Sequence, residues 1–319
     1  MFNIRKFPDQ LMTARFKAVT CFCAFAFSLF LTGLADIPGS VLRGYGFSAV
    51  QLTVLRTATV SVFFLALFSG RALLYGMPRI TLSQSKTIIA FAVFGVVCAN
   101  GGTTLSVSLA PDYVAIPVIF ATSIATSLMM AIRRRDLVDR LDLGAAIFLV
   151  GLVALLIFDG AKSAGEFDPT VLWVPIVTGV AQGIAYHAVG GGEDIDPFTF
   201  YFLSFGIGGA LMASGAASFG ILDLATVGHI NFPAEAWFYL AVLAGLNTVI
   251  PYLLMRASGA RLAMSAKGSA GAAEPIGGVS SDAFQGSTPE TTGLLIVTTI
   301  IAVVVWNQLR GRGSKGSSS

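Results

Sequence analysis

Residues 261–281 read RLAMSAKGSAGAAEPIGGVSS, and how this stretch is counted decides the fold. It holds a lysine, Lys267, and a glutamate, Glu274, among small residues, so a strict hydropathy cut passes over it. The rest of the chain argues for including it. Of 319 residues 55% are hydrophobic and only 12% charged, and mean hydropathy is +0.79. Soluble domains carry about 25% charged residues, so this is the composition of a polytopic membrane protein. Apolar runs of roughly 17–25 residues, enough to cross a hydrocarbon core as helices, fall near 17–35, 50–69, 87–108, 113–132, 141–158, 170–189, 198–219, 235–255 and 291–309. With 262–281 there are ten. Lipid offers no partner to unpaired backbone groups, so each run reads as a helix. A β-barrel would need alternating segments, and these are continuous.

The basic residues test the count. With the N-terminus inside, ten spans put Arg5, Lys6, Arg15, Lys17, Arg71, Arg79, Lys86, Arg133, Arg134, Arg135, Arg140, Arg256, Arg261, Arg310, Arg312 and Lys315 on the inner face. Only Arg43 and Lys162 fall outside, while Arg56 and Lys267 lie within spans. That asymmetry follows the positive-inside rule. Omitting 262–281 would move the basic C-terminal LRGRGSK to the outer face and spoil it. The expectation is an all-α integral protein of the inner (plasma) membrane with both termini cytoplasmic. A competing reading makes 17–35 the apolar core of a signal peptide, with a small-residue site at Gly33-Leu34-Ala35. A net charge of +3 does not imply nucleic acid. Cys21, Cys23 and Cys98 lie inside apolar runs and read as small buried hydrophobes, not metal ligands.

Five spans per half is an odd number, so a duplicated chain would have its halves inverted in the membrane. The expected organisation is a cytoplasmic segment 1–16, a first five-helix repeat 17–158, a periplasmic linker 159–169, a second repeat 170–309 and a flexible tail 310–319. LDLGAAIFLVGLVALLIF at 141–158 matches ETTGLLIVTTIIAVVVW at 290–306, and Asn100 in the third span has a partner in Asn247 in the eighth. The loop before the first of these segments is RRRDLVDR and before the second GSTPE, as positions on opposite faces should differ.

LTVLRTATVSVFFLAL around Arg56, LAPDYVAIPVIFATSIATSLMMAIRRRD, and LNTVIPYLLMRASGARLAMSAKGSAGAAEP together resemble the drug/metabolite transporter superfamily of the EamA type. That family is built from two inverted five-helix repeats, and its ninth helix ends in a Glu-Pro pair, here Glu274-Pro275. The chain departs from it in lacking a tryptophan-glycine feature in the first helix and in the polar IGGVSSDAFQGSTPE after Pro275. The resemblance implies a secondary carrier of small organic solutes, commonly amino acids or related metabolites and often exported. It implies alternating access and neither an enzyme nor a cofactor. Its partners would be the small-molecule substrate and the lipid bilayer; association as a homodimer is left open.

Candidate site residues follow from polar side chains inside apolar spans. Glu274 lies thirteen residues beyond Arg261, roughly 20 Å along a helix, where a carboxylate costs about 2.5–3.5 kcal/mol and marks a pathway or a partner. It either lines a cavity or sits at an early helix end before a kinking proline. Lys267 has a charge role or snorkels to the inner face. His187 either relays protons or is an interfacial residue bonded to a neighbour. Tyr186 either contacts substrate or belongs to the aromatic belt, and Tyr252 is a further cavity candidate. Asn100 and Asn247 bind polar substrate groups or bond between helices. Arg56 attracts a substrate carboxylate or snorkels outward. In the sixth span GVAQG, Gly179 to Gly183, allows a close helix approach. GGGEDIDPF at 190–198 reads as a turn in which Asp196 caps a helix that opens with Pro197. The rival function is a Mg-dependent membrane transferase using these acids; a non-transporting scaffold is the third.

Overall fold

The computed structural model describes residues 6–109, 112–133, 144, 147, 148, 151, 172–191, 195–218, 220, 233–259, 262, 273 and 274. Among them every regular element is helical: α1 (Lys6–Gly33), α2 (Asp36–Gly44), α3 (Ala49–Tyr75), α4 (Leu82–Ala90), α5 (Gly102–Leu109), α6 (Asp112–Arg133), α7 (Trp173–Gly191), α8 (Pro197–Ser218), α9 (Ala234–Ala244) and α10 (Ile250–Gly259). A π-helical stretch, Phe91–Gly101, joins α4 to α5, and a shorter one, Gly245–Val249, joins α9 to α10. Five helical stretches are long and apolar enough to cross a membrane: Val19–Gly44, Ala49–Tyr75, Leu82–Ser106, Pro197–Ser218 and Ala234–Gly259. A multi-pass membrane protein follows from their length and composition.

Seven of the ten expected spans coincide with helices described here. The tenth lies outside the described residues, as do most of the fifth and ninth. Two features differ from expectation. A short helix, α2, occupies what reads as an outer loop, because Ile37, Val41 and Leu42 recur at helical spacing and Leu42 is buried against Leu52, Leu240 and Leu243. Cys23 is exposed and Cys98 half-buried rather than buried, although Cys21 is buried as expected. The N-terminal run is part of the main core, where Phe25 and Leu29 pack with Phe91 and Tyr186.

Starts and stops are chemically marked. Ser48 and Gln51 form a reciprocal capping box on α3, and Thr81 and Gln84 form another on α4. Gly76 ends α3 at φ +81, which glycine adopts without a Cβ penalty. Asp196 caps α8 as expected: its Oδ2 accepts from the Thr199 amide at 2.9 Å and from the Thr199 hydroxyl at 2.7 Å. The same carboxylate lies 3.6 Å from Arg71 Nε near the end of α3.

α3 and α8 run antiparallel. Thr57 meets Gly209, Phe68 stacks on Phe202 at 4.9 Å further along, and Arg71 meets Asp196 near the far end. α1 packs along α10, and α7 along the longer π stretch. α6 and α7 are different: they run parallel. Gly179 of α7 sits against Ile119 and Thr122 of α6, and Gly183 one turn later against Ser123 and Thr126. A Cβ at Gly179 would lie 2.3 Å from the Ile119 carbonyl oxygen, and one at Gly183 would lie 2.9 Å from that of Ser123. These contacts are between backbones, so neither helix has a flexible end to yield.

Gly179→Val is therefore expected to destabilise the fold by several kcal/mol, above the 1–3 kcal/mol usual for overpacking. Gly206→Ala, whose Cβ would meet nothing within 4 Å, should be neutral or slightly stabilising. Thermal unfolding in detergent compares the two.

Candidate functional site

A cavity of about 150 Å³ opens between α1, α2, α3, the longer π stretch, α5, α6 and α7. Its wall is unusually polar for a bundle of apolar helices, with Arg56 from α3, Asn100 from the π stretch, Ser123 from α6, Gln182 and Tyr186 from α7, and Glu274. A smaller chamber of about 40 Å³ continues from it, sharing Asn100, Gln182, Tyr186 and Glu274 and adding Phe91, Tyr252 and Met255.

Gln182 is the centre of this wall. Its Nε2 donates to Glu274 Oε2 at 2.7 Å and to the Tyr186 hydroxyl, one turn along α7, at 2.9 Å. A carboxylate among apolar helices needs donors that water would otherwise supply, and Gln182 is one. Across the chamber the Tyr252 hydroxyl donates to Asn100 Oδ1 at 3.3 Å. Two polar atoms of the wall, Asn100 Nδ2 and Ser123 Oγ, are buried without a hydrogen-bond partner among the described residues. Such atoms are costly to leave unpaired, and both belong to residues that line the cavity.

The end of the cavity beside α2 is lined by Gly33, Gly39 and Arg43. There the Tyr45 hydroxyl donates to Glu235 Oε2 at 2.9 Å, tying the end of α2 to α9. That hydrogen bond holds the Tyr45 phenol above its usual pKa, so it remains a donor at neutral pH. The opposite end is closed by aromatic rings. Tyr252 lies 5.2 Å from Phe205, 5.5 Å from Tyr201 and 5.7 Å from Phe91. Below them the Arg256 guanidinium lies 4.3 Å from the Phe200 ring centroid and donates to the Ile195 carbonyl at 2.8 Å. Arg256 is 5% exposed, and this ring face and carbonyl replace part of its hydration.

The structure thus brings Arg56, Asn100, Tyr186 and Glu274 to one cavity, with Tyr252 in the adjoining chamber. Glu274 lines both the cavity and the adjoining chamber. Asn247 does not join them: its Nδ2 donates to the Leu31 carbonyl at 2.7 Å, an interhelical bond between the shorter π stretch and α1. His187 follows Tyr186 on α7 but lines neither chamber. Lys267 lies outside the described residues. Gln182, Ser123 and Arg43 are wall residues that sequence reasoning did not single out. A glutamine one helical turn from Tyr186 was a usable signal for the first; nothing in the sequence brings Arg43 to a cavity.

An apolar groove of about 520 Å³ lies on the other side of the wall, lined by residues such as Val54, Val97, Val177 and Leu211. Thr53 and Thr104 border both spaces, and the Thr53 hydroxyl donates to that of Thr104 at 2.6 Å.

No family model and no curated protein matches the chain. Its fold does match solved structures, 14 chains of them. One is a crystal structure of a protein with a TM-score of 0.70 and 15% identity, covering 92% of this chain and 99% of its own. At that identity the likeness is one of fold.

Asp196→Ala removes the α8 cap and should cost about 1 kcal/mol, whereas Asp196→Asn keeps a capping acceptor and should cost only a few tenths. The partly exposed pair with Arg71 adds little to the difference. Thermal unfolding of both variants measures it.

Proposed function

We propose that the protein is a secondary transporter that moves a small organic metabolite, an amino acid or related solute, across the inner membrane by alternating access. The observation that carries this is the cavity wall. It sets a carboxylate and a guanidinium around a space of about 150 Å³ and leaves Asn100 Nδ2 and Ser123 Oγ unspent. A cavity of that order holds a benzene-sized molecule and is smaller than the roughly 300–1,000 Å³ of drug-sized sites. A small zwitterion supplies the complement: its carboxylate for Arg56, its ammonium for Glu274.

The same proposal includes ten spans in two inverted repeats, as in the drug/metabolite transporter superfamily. Three observations support it. α6 and α7 pack in parallel, which fits the proposed fifth span between them. The contact of α1 with α10 is repeated by that of α7 with the longer π stretch, as exchange of first with sixth and third with eighth spans demands. Asn100 and Asn247, paired by that exchange, both lie in π-helical stretches. The cavity reaches α2 at one end and continues at the other into the small chamber lined by Phe91 and Tyr252, which suits an outward-facing state of a carrier. Asp196 is occupied by its cap and by Arg71, which weighs against the metal-dependent transferase.

Counterflow in proteoliposomes tests the reading. Vesicles preloaded with pooled amino acids should take up a labelled member saturably, without added metal. Glu274→Gln should lower that uptake at least about tenfold, since a lost charge-assisted contact is worth roughly 1.5–3 kcal/mol. Uptake no greater than in protein-free vesicles, from protein of normal thermal stability, would refute transport.

A further inference from the structure

Three charged side chains among the described residues line the cavity: Arg43, Arg56 and Glu274. Arg56 and Glu274 are of opposite sign. Arg43 is a surplus cation, and the fold puts it where it is. It lies in the last turn of α2, whose position is set on one side by buried Leu42 packed on Leu52, Leu240 and Leu243, and at its end by the Tyr45–Glu235 hydrogen bond. The guanidinium folds back over Gly39, with Nη1 3.9 Å from where a Cβ would stand there. Both residues line the cavity end beside α2. Arg43 itself is exposed and has no ion pair among the described residues.

A cation at the entrance of a low-dielectric cleft raises the local concentration of anions and repels cations. Charged side chains at a constriction set selectivity in this way in channels. We propose that Arg43 is a specificity-determining residue that makes the site select solutes of net negative charge. The class is small amino acids with one more carboxylate than ammonium: the ammonium meets Glu274, one carboxylate meets Arg56, and the second meets Arg43. This rests on the transport reading, and it adds what that reading leaves open, the charge of the solute.

The test is counterflow of labelled aspartate, alanine and lysine in proteoliposomes of the full chain, with the wild type, Arg43→Gln and Arg43→Lys. The wild type should favour aspartate over alanine by about fivefold or more, the upper end of what one exposed ion pair contributes, and should reject lysine. Arg43→Gln should bring aspartate and alanine close to parity, and Arg43→Lys should retain most of the preference. Raising salt on the entry side should narrow the wild-type ratio and leave that of Arg43→Gln unchanged, because an exposed charge is screened. A merely structural role for Arg43 would not produce that salt dependence.

An aspartate-to-alanine ratio that Arg43→Gln leaves unchanged would overturn the proposal while transport stands. So would a wild type that prefers alanine or lysine. If no probe is taken up, the shift in unfolding temperature with each amino acid in detergent decides. No shift with any of them overturns the transport reading, and the charge proposal with it. A shift confined to aspartate that Arg43→Gln abolishes upholds the charge selection.

Discussion

The site depends on how closely α6 and α7 lie side by side. Without a Cβ at Gly179 and Gly183, α7 rests on the backbone of α6. On the adjacent stripe of the same helix, Gln182 and Tyr186 then face the cavity, within reach of Glu274. In lipid, helices gain little by hiding apolar surface from one another, so close packing and interhelical hydrogen bonds hold them together. A glycine stripe beside a glutamine serves both needs at once. It allows contact on one side and supplies the carboxylate's donor on the other.

Polar residues elsewhere in the bundle are satisfied more locally. Along α3 the hydroxyls of Thr57 and Ser61 each donate to the carbonyl four residues earlier, at 2.7 and 2.8 Å. Such bonds cost the helix little and need no partner helix. Among the described residues, Asn100 Nδ2 and Ser123 Oγ, on cavity-lining residues, are buried without a hydrogen-bond partner, as are Ser127 Oγ and Asn247 Oδ1, which lie off the wall.

Some of this was legible in the sequence. Helix class, most of the span positions, the Asp196 cap and the close approach at GVAQG follow from composition and local spacing, because each depends on residues a few positions apart. Glu274 and Arg56 stood out because a charge within an apolar run demands an explanation. The rest required the third dimension. Arg43 reads as an ordinary outer-loop cation until α2 folds over the cavity. Asn100 and Asn247 look equivalent, yet one faces the cavity and the other is spent on the Leu31 carbonyl. Hydropathy cannot separate α from π winding, since both are apolar throughout, so neither π stretch could be foreseen.

Those π stretches have a mechanical consequence. A π turn closes its hydrogen bonds one residue later than an α turn, so it holds a residue the α repeat has no place for. If one such turn relaxed to α winding, everything beyond it would rotate by about 100°, the angle one residue subtends in an α-helix. Asn100 lies in the last turn of one stretch and Asn247 in the middle of the other. A change of pitch inside either stretch therefore re-aims the side chains beyond it relative to those before it.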